Sequence, residues 1–180
     1  MFARFVAPVI VMLAMSAPAW AADQEDLQIF RDVSKQVLRY PQFTIFDSVN
    51  AWVDEGIVTL TGKVTMPYKR SDIEKRIAKL DGVKSVKNDI SVLPVSMWDD
   101  ELRVRISRAI YGNSTFWQYG SMANPPIHVI VENGRVTLEG VVNSNVDRMV
   151  ARSIASSFDA FSVTNNLKTD AEMTKELEKL

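Results

Sequence analysis

Apolar and polar residues alternate along GIVTLTGKV (residues 56–64), and the same pattern returns in GRVTLEGVV (residues 134–142). Six of the nine positions are identical at a constant offset. Val58, Leu60 and Val64 set against Thr59, Thr61 and Lys63 give the period of a half-buried strand. Gly62 and Gly140 stand inside these strands, where glycine marks a bulge or a close approach by another backbone. The chain therefore reads as one small module written twice.

The first module is expected over 26–94. Leu27, Phe30, Val33 and Val37 recur at helical spacing, with Asp26 near the helix start and Pro41 ending the element. Val49, Ala51 and Val53 alternate with Ser48, Asn50 and Trp52 as a strand. Asp54-Glu55-Gly56 turns that strand into the repeated one, with Gly56 supplying a positive φ. Pro67 and Ser71-Asp72 open a second helix, with Glu74 completing a capping box and Ile73, Ile77 and Leu80 as its buried stripe. Asp81-Gly82 ends it. Val83, Val86, Ile90 and Val92 make a last strand.

The second module is expected over 97–170. Asp99-Asp100-Glu101 lead a helix with Leu102, Ile106, Ala109 and Ile110 inward. Ile127, Val129 and Val131 alternate with His128, Ile130 and Glu132, and Glu132-Asn133-Gly134 is the hairpin turn. Val146, Met149, Val150, Ser153 and Ile154 line the next helix. Val163, Asn165 and Leu167 form the final strand. The fold class is α+β: two tandem α-β-β-α-β modules, each a small mixed sheet with two helices on one face. Residues 171–180 read as a polar, helix-prone tail that frays. The segment STFWQYGSMANPP (114–126) has no counterpart in the first copy. Its aromatic residues either tuck over the core or face a partner.

Ahead of the modules, Arg4, an apolar run and Ala19-Trp20-Ala21 have the order of a secretory signal peptide over 1–21. That run is too short for a membrane span of about 20 residues. There is no cysteine, so cysteine catalysis, disulfides and a lipidated N-terminal cysteine are excluded. Without Arg4 the chain carries 20 basic against 22 acidic residues, a balance that argues against nucleic acid as a partner. The single histidine, His128, offers neither a metal pair nor a triad, and no phosphate-binding glycine loop occurs. The expectation is a protein without catalytic residues, metal or cofactor.

G-x-V-T-L-x-G-x-V after a hairpin turn, then a helix, then Gly82-Val83, Val86 and Asn88, resembles the BON domain of bacterial envelope proteins. The second copy matches at Gly134, Gly140, Val163 and Asn165 but has Ala160-Phe161 in place of glycine-valine. Two such modules behind a signal peptide resemble the osmotically inducible periplasmic proteins. The resemblance implies a periplasmic address and reversible contact with phospholipid, in envelope maintenance or stress protection. In a lipid-contacting relative the first helix of the second module meets the bilayer, and the corresponding stretch here holds Arg103, Arg105 and Arg108.

The residues themselves nominate a basic and aromatic surface. Lys75 and Lys79 share one helix face, as do Arg148 and Arg152. Arg105 and Arg108 lead towards Phe116, Trp117 and Tyr119. Cations with interfacial aromatics suit an anionic headgroup layer. The other reading of these charges is ordinary solvated faces partnered by Asp72, Glu74 and Asp147. The rival function is an envelope protein–protein interaction or chaperone-like module, with Trp52 and Trp98 as contact residues.

Overall fold

The computed structural model describes residues 19–177. The chain runs α1 (Ala19–Leu38), β1 (Ser48–Asp54), β2 (Ile57–Val64), α2 (Pro67–Ile77) and β3 (Ser85–Val92). It continues through α3 (Met97–Tyr111), a 3-10 turn (Ser114–Phe116), α4 (Trp117–Gly120), β4 (Ile127–Glu132) and β5 (Arg135–Val142). It closes with α5 (Asn145–Ala155), β6 (Ser162–Asn165), β7 (Lys168–Thr169) and α6 (Asp170–Leu177). The expected leader lies outside the described residues except for Ala19-Trp20-Ala21, whose backbone begins α1.

Each half has its own sheet and its own interior. In the first, β1 pairs antiparallel with β2, and β2 pairs parallel with β3, in the order β1-β2-β3. The second repeats this as β4-β5-β6, with β7 extending the pairing along β5. One cluster gathers Val33, Val58, Leu60, Val64, Ile73, Ile77 and Ile90 under α1 and α2. The other gathers Ile106, Ile110, Phe116, Val129, Val136, Leu138 and Ala151 under α3 and α5. Alternation sends every second strand residue to the helices, which is why the repeated motif needs valine and leucine at those positions.

The two hairpin turns share one device. Glu55 and Gly56 have φ of 48° and 78°, and Asn133 and Gly134 have 52° and 71°. Two consecutive positive φ values are the turn that matches strand twist. The backbone N–H groups of each turn donate to a carboxylate on the first helix of the same module. Asp26 accepts from Glu55 and Gly56 at 2.7 and 2.8 Å, and Asp99 accepts from Asn133 and Gly134 at 2.8 Å each. Both acids were expected to serve the helix dipole. Asp26 sits inside α1 rather than at its start, and both fasten a helix to a hairpin.

The glycines inside the strands have a steric cause. A Cβ on Gly62 would stand 2.2 Å from the Ser48 carbonyl oxygen, and one on Gly140 would stand 1.8 Å from that of Pro126. The asparagines repeat as well. Asn88 Nδ2 donates to the Arg70 carbonyl and the Glu74 carboxylate, while Asn165 Nδ2 donates to the Arg148 carbonyl. Each thereby ties the second helix of its module to the last strand.

Four helix expectations need correction. The capping box at Ser71 does not form: α2 starts earlier, with Pro67 in its first turn, and the Ser71 hydroxyl donates to the Tyr68 carbonyl. Proline is pre-organised for that position, so it outcompetes the serine. In α1 the buried row is Ile29, Val33 and Val37, continued by Tyr40 just past the helix end, leaving Leu27 and Phe30 half-buried. In α5 the inward residues are Ala151 and Ala155 with Val150 and Ile154 beside them, while Val146 and Met149 face solvent at 65% and 70% exposure. A helix turns about 100° per residue, so a stripe judged one position off exposes its edge. The polar tail is capped: the Thr169 hydroxyl accepts from Glu172 N–H, the Glu172 carboxylate accepts from Thr169 N–H, and Arg148 pairs with Glu172 at 3.0 Å. This capping box starts α6 and docks it on the second module. At the remaining departure from the repeat, Ala160-Phe161, the turn survives by backbone pairing. Phe161 N–H donates to the Gly134 carbonyl at 2.8 Å, as Lys84 N–H does to Gly56.

Candidate functional site

The first site to emerge from the geometry is the joint between modules. Asp47 lies just before β1, fully buried, and its two oxygens collect five donors. Thr44 N–H and hydroxyl and the Lys69 ammonium reach Oδ2, the last at 2.6 Å; Thr65 N–H and hydroxyl reach Oδ1. Lys69 is itself buried and is also held by the Thr65 hydroxyl. Burial alone would raise the Asp47 pKa, but Lys69, Thr65 and Thr44 outweigh it and hold the carboxyl below its ordinary value.

This knot shapes the loop that the second module grips. Val129 N–H, on the edge strand β4, donates to the Ile45 carbonyl at 2.8 Å. His128 Nδ1 stands 2.6 Å from the Asp47 carbonyl, so that nitrogen carries the proton. The imidazole also lies 5.4 Å from the Phe43 ring. Burial pushes the His128 pKa down, with the backbone of Asp47 and Thr44 pulling the other way. Ser48 bonds Glu139, and Lys63 pairs with Glu132, across the same seam. Nothing in the spacing of Asp47, Lys69 and His128 along the sequence links them, and all three were missed as partners.

The second site is the helical side of the second module. The 114–126 segment divides its aromatics. Phe116 is fully buried and Tyr119 is 3% exposed, while Trp117 between them is 72% exposed. The Tyr119 hydroxyl donates to Asp147 and accepts from Asn143 N–H, which fixes α4 against the start of α5. Burial, with Asp147 adding to it, pushes the tyrosine up to about 12. Phe116 and Tyr119 are therefore corrected from contact residues to anchors. Arg103 is corrected likewise: it is 4% exposed and donates to the carbonyls of Asp99 and Val131. Arg105 and Arg108 stay outward, Arg105 with its guanidinium 5.4 Å from the Phe158 ring centroid.

A family model described as "BON domain" matches residues 25–94 and again residues 99–171. The chain belongs to the BON-domain family. No curated protein matches it. Among solved structures it is similar to the C-terminal domain of CdsD, a structural protein of the type III secretion system of Chlamydia trachomatis. There the identity is 15% and the TM-score 0.32, over 80% of this chain and 66% of that one. A second CdsD structure matches at 15% identity and TM-score 0.29, over 84% of this chain and 97% of that one. BON domains are in general non-catalytic modules associated with binding at the cell envelope. Among the described residues no helix is long and apolar enough to cross a membrane.

The other basic candidates sort by what already holds them. Arg148 of the second BON module is engaged by Glu172, Asn145 and the Leu167 carbonyl. Arg152 on the same helix is exposed, one turn from the outward Met149 that the pattern places in the core. In the first BON module, Lys75 and Lys79 line an open groove of about 550 Å³ between α1 and α2, with Arg76, Gln36 and Asp72. Arg76 sits 4.9 Å over the Tyr40 ring, and Asp72, which accepts the Tyr40 hydroxyl, sets one negative charge among these cations. The structural positions Gly56, Gly62, Gly82, Gly134 and Gly140 are all at positive φ.

Proposed function

We propose that this BON protein is a non-catalytic periplasmic binding protein that makes weak, reversible contact with anionic phospholipid through the outer helical face of its second module. The supporting observation is Trp117, presented to solvent on a short helix whose flanking aromatics are buried. A large side chain held outward on a rigid base, in the same module as the exposed cations Arg105 and Arg108, has the composition of an interfacial contact. Each cation near an anionic surface contributes about 1 kcal/mol, so binding of this kind is weak and sensitive to salt. His128 supports the non-catalytic part, because the single imidazole is spent on the joint.

Vesicle co-sedimentation tests the reading. Binding to phosphatidylglycerol vesicles, absent with phosphatidylcholine and lost in high salt, is expected. Trp117→Ala should weaken it without changing the melting temperature. Equal binding to both vesicle types, or to neither, would overturn the proposal.

A protein partner is the second reading. Trp52 at 60% and Ile57 at 45% exposure are diagonal neighbours on the open face of the first sheet, Trp52 opposite Thr59 and Ile57 opposite Asp54. If the vesicles are ignored, this face becomes the one to test.

A further inference from the structure

A second groove, of about 520 Å³, runs along the other side of α1 and is completed by Asn124 of the second module. Two parallel rows of α1 line it. Phe30, Ser34 and Leu38 form one, and Arg31, Lys35 and Arg39 form the next, each at a spacing of one helical turn. Among the described residues no carboxylate lines the groove and none of its cations is in an ion pair. Leu38 is 45% exposed and Phe30 is half-buried, so the apolar row is not spent on the core. Neither row was singled out in the sequence, where Phe30 read as a core residue.

From this arrangement we infer that the α1–Asn124 groove is a headgroup site for an anionic phospholipid at a bilayer surface. The inference rests on the lipid reading above but names a different module and a different set of residues. Three cations with no facing acid select an anion, and guanidinium groups suit the oxygens of a phosphate. An apolar row beside them selects an anion joined to hydrocarbon. The groove is open along its length, so it accommodates part of a lipid still seated in its layer rather than a molecule carried away from it. Asn124 belongs to the other module, so the site is complete only while the Asp47–His128 joint holds. The protein would then touch a membrane at two places: Trp117 with Arg105 and Arg108, and this groove.

The test uses the full mature chain and vesicles of phosphatidylglycerol in phosphatidylcholine. One variant is Arg31→Ala/Lys35→Ala/Arg39→Ala. A control removes three exposed cations elsewhere, Lys84→Ala/Arg135→Ala/Lys175→Ala. A third, Asn124→Trp, fills the groove and leaves every charge. Each cation at an anionic surface is worth roughly fivefold in binding, so the first variant should lose at least about tenfold. The control should lose less than about threefold, and Asn124→Trp should weaken binding at unchanged net charge. All variants should melt as the wild type does, because the substituted side chains are exposed. Equal losses in the first variant and the control would reduce the effect to overall charge and overturn the site. So would an Asn124→Trp protein that binds normally. If the wild type binds no vesicle at all, the underlying lipid reading falls too. If only the Trp117 and Arg105/Arg108 variants lose binding, that reading stands and the groove is refuted.

Discussion

Replacing Asp47 by asparagine keeps the shape of the side chain and removes its charge. The consequence follows from what remains around it. Lys69 is 2.6 Å from the lost carboxylate, with side-chain exposure of 5%, and keeps the Thr65 hydroxyl as its other partner. Removing one member of a buried ion pair leaves an uncompensated charge and costs about 3–5 kcal/mol. The amide also turns one acceptor oxygen into a donor facing Thr44 N–H. That adds an unsatisfied group of roughly 1–3 kcal/mol, overlapping with the first cost rather than adding to it. Lys69→Met is milder, because Asp47 keeps the donors from Thr44 and Thr65. The order Asp47→Asn worse than Lys69→Met is therefore the signature of the carboxylate as hub. Urea unfolding followed by circular dichroism gives the totals. Hydrogen exchange assigns the loss to the first module and to the Val129 amide at the joint. The pH dependence has a definite sign. The folded pKa of Asp47 lies below its unfolded value of about 3.9, so its stabilisation is complete above that value and is lost as pH falls through the folded pKa. The Asp47→Asn protein should lack that acid component. A loss under about 1 kcal/mol for Asp47→Asn, or a larger one for Lys69→Met, would refute this reasoning.

Three further outcomes are expected. Gly62→Ala and Gly140→Ala should each destabilise their own module by about 3 kcal/mol or more, read as separate melting shifts, because backbone oxygens occupy the Cβ positions and φ is near +120°. Trp117→Ala should leave stability within about 0.5 kcal/mol, whereas Tyr119→Phe should lower it by about 1–2 kcal/mol, since the hydroxyl both donates to Asp147 and accepts from Asn143. The joint should weaken in mild acid: His128 has a folded pKa below the ordinary value of about 6.5, so its contribution is complete above that value and declines as pH falls from there towards the folded pKa. Faster exchange at the Val129 amide at pH 5 than at pH 7, after correction for intrinsic rates, checks this; exchange that slows or does not change would contradict it.

The repeat was legible because strand alternation and turn glycines are local signals. Gly56, Gly62, Asn88 and their second-copy equivalents each answer to a neighbour a few residues away or to the adjoining strand. The helix faces were read less well. Apolar residues on both flanks of α1 and α5 satisfied helical spacing, and only packing on a particular sheet decides that Ala151 is inside and Met149 outside. The 114–126 segment held a similar ambiguity, resolved residue by residue with Trp117 outward between two buried rings. The joint was not legible at all. Asp47, Lys69 and His128 are brought together by the closing of one sheet and the approach of another module, and no spacing in the chain encodes that meeting. The groove beside α1 is hidden for the same reason, since Asn124 reaches it from the other half.

Depth-dependent quenching of Trp117 tests the central claim most directly. A protein keeping Trp117 as its single tryptophan, with Trp20, Trp52 and Trp98 changed to phenylalanine, is mixed with brominated phosphatidylglycerol vesicles at low salt. Its emission should shift to the blue and be quenched, and both effects should disappear in high salt and with brominated phosphatidylcholine. A folded protein that sediments with the anionic vesicles while Trp117 stays unquenched would contradict it.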